Sequence, residues 1–131
     1  MIYLINSNDI PKQTSYIFVF VFNYVLGTNN EITGHHLGFF LYISNTTSRY
    51  DGVLCFRDTN FTRDTIPAVL NISCPHVGRY VIYYNERLPG HTYPSDYAQY
   101  TYTALCEVEV YDKIDRFFHT NYVLLLSFPN I

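Results

Sequence analysis

Gly78 to Gly90 reads GRYVIYYNERLPG, an apolar run that stops at Asn85, Glu86 and Arg87 and is followed by a Pro and a Gly. Arg79–Tyr84 is apolar at odd and even positions alike. A strand with both faces covered carries that pattern, so this segment is expected to lie centrally between two layers. The charged pair at its end sits where the chain leaves the sheet for a Pro-Gly turn. Arg87 is therefore expected to pair with Glu86 or a neighbouring loop carboxylate and fix the exit, a strand-closing role rather than a chemical one.

Working outward, a period of two places further strands near Tyr16–Val25, Leu37–Ile43, Gly52–Arg57, Arg79–Asn85 and Tyr102–Tyr111. In Cys106-Glu107-Val108-Glu109-Val110 the alternation is strict, with Cys106, Val108 and Val110 toward the core and both Glu residues on a wet face. No helical stripe of convincing length and no internal repeat is present. Composition agrees: Tyr 14 and Phe 10 stand against Trp 0 and Met 1, and such aromatics suit pleated, half-buried surfaces. The expected fold class is all-β, with antiparallel strands in a β-sandwich.

The 131 residues, 48% of them hydrophobic, suffice for one core and one domain. A formal charge of -3 without a Lys/Arg cluster argues against a nucleic-acid partner or a membrane-surface patch. The longest apolar run, from Tyr16 to Phe22 and on through Leu26, is broken by Asn23 and falls short of the roughly 18 residues that cross a bilayer, so no membrane insertion is expected. MIYLINSND lacks the basic start of a signal peptide. Three Cys and the sequons at Asn45, Asn60 and Asn71 nevertheless suit a secreted glycoprotein.

The stretches GFFLYISNTTSRYDGVLCFRD, from Gly38, and GRYVIYYNERLPGHTYPSDYAQYTYTALCEVEVY, from Gly78, together resemble the fucolectin-like (F-type lectin) domain, in the form found in molluscs beside EGF-like repeats. The resemblance covers residues 16–111, leaving 1–15 and 112–131 unmatched. It implies a jelly-roll sandwich of the galactose-binding-domain type, an extracellular or cell-surface location, neighbouring EGF-like domains in a longer protein, and calcium-supported binding of a fucose-type glycan. The family's N-terminal third has no counterpart here, so the chain reads as a partial copy or an incomplete gene product. That would also account for the absent signal peptide.

Aligned on Gly38-Phe39, the family's Arg-x-Asp and following Arg or Lys fall on Thr28, Asn30 and His35. A planar guanidinium makes two parallel hydrogen bonds to ring hydroxyls, a geometry that Thr and His do not reproduce. The sugar motif is thus degenerate. The resemblance pairs Cys55 with Cys74 and leaves Cys106 without its partner, while three buried thiols of a cytosolic protein remain the alternative. It also gives calcium the carbonyl of Cys106 and the carboxylate of Glu107, two oxygens where the ion takes six or more. No cofactor is therefore assigned to this chain by itself.

Catalytic patterns are weak. Glu107 and Glu109 lie about two rises apart on one strand face, a spacing that suits paired glycosidase carboxylates but that any alternating strand produces. His35-His36 lacks further ligands at zinc spacing, and no nucleophile elbow, phosphate loop or dinucleotide pattern occurs. Tyr93, Tyr97, Tyr100 and Tyr102 either stack on a ligand or pin a long loop, of which pinning is the simpler account. The chain reads as a non-enzyme: a recognition module with a degenerate lectin site or, alternatively, a structural adhesion module that binds no sugar.

Overall fold

The computed structural model describes residues 2–4, 16–22, 31–101, 105–112, 121–122 and 124–126, with side-chain environments over 33–101. Its strands are β1 (Ile2–Leu4), β2 (Tyr16–Phe22), β3 (Phe40–Ser44), β4 (Val53–Arg57), β5 (Val69–Cys74), β6 (Tyr80–Tyr84), β7 (Leu105–Asp112), β8 (Asn121–Tyr122) and β9 (Leu124–Leu126). A single helical turn, α1 (Glu31–Gly34), and a 3-10 turn at Arg49–Asp51 complete the described elements. The fold class is all-β, as the aromatic and alternating pattern implied.

The strands form a five-stranded sheet in the order β4-β3-β6-β1-β9 and a four-stranded sheet in the order β5-β2-β7-β8. Every pairing among the described strands is antiparallel. β6 sits between β3 and β1, with Ile82 opposite both Tyr42 and Ile2. Val81, Ile82 and Tyr83 are all buried, so both faces of this strand are covered. The central position expected from GRYVIYY follows directly.

Three differences from the expected strands have physical causes. Leu37 and Gly38 belong to a turn instead of opening β3, because Gly38 takes a left-handed φ of 83° that only glycine adopts without cost. β5 is absent from the expected strands; the sequon residue Asn71 lies within it, exposed beside buried Ile72 and Cys74. The short strands β1, β8 and β9 come from segments outside 16–111 that offer too few residues for a periodic signal.

The core draws on both sheets. Phe39, Leu41, Ile43, Val81 and Tyr83 from the larger sheet and its entry turn meet Ile72 and Cys74 of β5, with Leu37 and Ile66 added from connections. Phe39 stacks on Tyr83 at a centroid distance of 5.3 Å and tilts against Phe56 at 5.4 Å. Each fully buried aliphatic or aromatic side chain in this layer contributes about 1.5–3 kcal/mol. A disulfide joins Cys55 of β4 to Cys74 of β5, bridging an edge strand of each sheet.

Candidate functional site

Of the residues singled out by sequence, His35, Asn85, Arg87, Tyr93 and Tyr97 gather at the end of β6. Asn85 is buried there, and its Nδ2 donates to the carbonyls of His35, His36 and Leu37 at 3.1, 3.3 and 3.1 Å. Its Oδ1 accepts from the Glu86 backbone N–H at 2.9 Å and from Arg87 Nη1 at 3.2 Å. One amide therefore locks the strand exit to the turn that follows α1. Burying it costs little because both its donor and acceptor sides are satisfied.

Arg87 completes the lock, but with partners other than those expected. Its Nε donates to Ala98 O at 2.8 Å, Nη1 to Glu86 O at 3.1 Å and Nη2 to Gly34 O at 3.1 Å. The Glu86 carboxylate turns away and accepts from the Tyr84 hydroxyl at 2.7 Å. A guanidinium fork reaches three carbonyls from three segments at once, which pairing with one carboxylate would not achieve. Burial lowers the Arg87 pKa from its usual value, with the surrounding tyrosines acting the other way.

Tyr93 and Tyr97 form a wall of this site, while Tyr102 lies outside the described residues. The Arg87 guanidinium lies 5.3 Å from the Tyr93 ring centroid and 4.8 Å from that of Tyr97, and the two rings stack at 5.9 Å. Tyr93 also accepts the Leu88 N–H on its hydroxyl at 2.8 Å. These contacts pin the loop from Leu88 to Tyr100, which is the anchoring role rather than a free stacking platform. Nearby, Arg63 Nε donates to Asp96 O at 2.8 Å. A Cβ on Gly34 would come within 2.7 Å of that same Asp96 carbonyl, so loop and turn meet backbone to backbone.

The two histidines occupy different environments. His36 is fully buried; its Nδ1 lies 3.3 Å from the Tyr83 hydroxyl, and the two rings meet edge-on at 6.5 Å. Burial, reinforced by the neighbouring charge of His35, pushes the His36 pKa down to about 4. The buried ring is therefore neutral at ordinary pH. His35 is half-buried, and its Nδ1 donates to the Tyr100 carbonyl.

A second buried polar group, Asp58, was not singled out by sequence. Its carboxylate accepts the backbone N–H groups of Gly38 at 2.8 Å, Asn60 at 3.0 Å and Phe61 at 2.8 Å. The Asp-Thr-Asn order after β4 is the available signal, because an Asp side chain readily closes such a turn on the N–H two residues on.

Of the degenerate sugar positions, His35 lies in this cluster, while Thr28 and Asn30 fall outside the described residues. Cys106 and Glu107 lie on β7, where Glu107 is opposite Val21 and a register shift passes over Cys106. Their side chains are outside the described detail. Among the described residues no group of three His, Cys, Asp or Glu gathers at one point, and the oxygens of Cys106 and Glu107 alone do not complete a calcium shell. Asn45, Asn60 and Asn71 are exposed. Among the described residues no helix is long and apolar enough to cross a membrane. Comparison with protein-family models, with curated proteins and with solved structures gives no match.

Proposed function

We propose that the chain is a non-catalytic extracellular recognition module, a jelly-roll β-sandwich resembling the calcium-dependent fucose-binding lectins, with its sugar motif at Thr28, Asn30 and His35 degenerate. The observation that carries the extracellular reading is the Cys55–Cys74 disulfide between edge strands of the two sheets. Such bridges persist in oxidising compartments and are rare where thiols are kept reduced. Exposed sequon asparagines at 45, 60 and 71 agree with that setting.

A second reading, an adhesion module without sugar binding, is favoured by one feature. The polar groups nearest His35 are spent on the protein's own backbone, with Arg87 reaching three carbonyls and the Asn85 amide another three. Donors committed in this way do not hold a ring hydroxyl.

Expression through a secretory pathway, peptide mapping of the Cys55–Cys74 bridge and a glycan array with and without a calcium chelator test both readings. Export with an intact bridge and chelator-sensitive fucoside binding supports the lectin reading. Export with an intact bridge and no fucoside signal supports the adhesion reading. Retention of the chain with reduced Cys55 and Cys74 overturns both.

A further inference from the structure

Among the described strands β4 and β9 lie outermost in the larger sheet, and β5 and β8 in the smaller. An outermost strand offers its unpaired N–H and C=O groups to any other strand, and folds ordinarily blunt it. β8 and β9 are two and three residues long, too short to template a partner. β4 ends in Arg57, and its pairing with β3 passes over Cys55 at a register shift. A bulge of that kind bends and twists an edge away from further pairing.

β5 has none of these devices. It pairs with β2 through consecutive residues without a shift, from Val69 opposite Val21 to Cys74 opposite Tyr16. Its sequence VLNISC holds no charge and no Pro, the composition that lets short segments stack into intermolecular sheets. Val69 on this strand is 53% exposed, and the clasp to Cys55 holds only the last residue. What β5 does carry is the sequon Asn71-Ile72-Ser73 at its centre, with Asn71 and Ser73 exposed and Ile72 buried between them. The other two sequon asparagines, Asn45 and Asn60, belong to the connections before and after β4.

We propose that Asn71 carries an N-linked glycan and that this glycan is the edge protection of β5. In the transfer, Asn71 Nδ2 bonds to C1 of the reducing-end N-acetylglucosamine of a polyprenyl-diphosphate oligosaccharide. The C1–O bond breaks, the diphosphate leaves with its electron pair, and the amide gives up one proton. That donor serves the secretory route, so the proposal rests on the extracellular reading above. A strand of this length spans about 20 Å, so no point on the edge is more than about 10 Å from the root of the sugar. A bulky, hydrated group there stops a second backbone from lying along the edge, as a charged gatekeeper residue does elsewhere.

The chain exported through a secretory pathway tests the proposal. Peptide N-glycosidase leaves Asp in place of each occupied Asn, so peptide mass spectrometry reads the occupancy of Asn71 directly. Asn71 is expected to be occupied and the exported protein monomeric by sedimentation velocity. Ser73→Ala, which abolishes the sequon but keeps Asn71, and Asn71→Gln are each expected to tighten self-association about tenfold or more. Adding Val69→Lys to either is expected to restore the monomer, because a charge then guards the same edge. Asn45→Gln and Asn60→Gln leave association unchanged. Urea midpoints matching that of the parent protein establish that each variant is folded. The proposal is overturned if Asn71 is unoccupied, if the folded Ser73→Ala and Asn71→Gln variants stay monomeric, or if Val69→Lys fails to reverse their association. Any of these in an exported, disulfide-bonded protein removes the proposal and leaves the module reading standing, whereas a chain retained with reduced cysteines removes both.

Discussion

Asn85 Nδ2 donates to Leu37 O across 3.1 Å, and the bond ties the residue that follows β6 to the turn before β3. With two more carbonyls on the same amide, this side chain has no substitute of similar shape that keeps its donors. Asn85→Asp preserves the acceptor side but turns a charge toward three carbonyls, and Asn85→Leu leaves those carbonyls without their donor. Both variants are expected to lose about 2–4 kcal/mol of unfolding free energy, Asp the more, as measured by urea denaturation.

His36 makes stability depend on pH. Its folded pKa of about 4 lies below the unfolded value of 6.5, so the neutral ring is the one the fold prefers. The associated stability is fully present above pH 6.5 and is lost as pH falls through 4, a linkage of roughly 3 kcal/mol when complete. Urea midpoints measured from pH 7 to 4 should fall in the parent protein, and His36→Gln should flatten the part of the slope above the carboxylate range. An unchanged slope in that variant would assign the effect to other groups.

Cutting the disulfide releases a loop with a sequence separation of 19 residues. Loop-closure entropy puts its contribution at roughly 3 kcal/mol. A Cys55→Ala variant should show that loss in chemical denaturation. Cys74→Ala should lose more, because Cys74 is wholly buried in the core and Cys55 only partly.

Gly38 combines a φ of 83° with a Cβ position 2.8 Å from Tyr97 Cε2. Gly38→Ala is expected to cost about 1–3 kcal/mol. Tyr97→Ala removes the clash but not the backbone strain, so the double variant should be less destabilised than the sum of the singles. A double-mutant cycle by thermal unfolding measures that coupling.

The central strand was legible because burial on two faces leaves no polar position to interrupt it, and Val81, Ile82 and Tyr83 meet that condition. β5 was hidden by its own composition: Val69, Asn71 and Ser73 point outward, and a sequon with a Pro following Cys74 resembles a loop. The Cys55–Cys74 bridge came from family resemblance, since three cysteines allow more than one pairing. The strand-closing role of Arg87 was readable from the Pro-Gly turn, but its partners were not. Carbonyls of Gly34 and Ala98 reach it only after the chain has folded back over long separations, and backbone acceptors leave no trace in residue identity.

The Cys55–Cys74 clasp has a consequence for how the protein opens. β4 and β5 are edge strands, the elements whose amides would ordinarily exchange earliest and independently of one another. Joined covalently, they share a single opening event, and their amide protons should exchange at one common rate set by the parting of the two sheets. Reduction should split that rate into two, so this one bond sets the size of the cooperative unit that the two edges share.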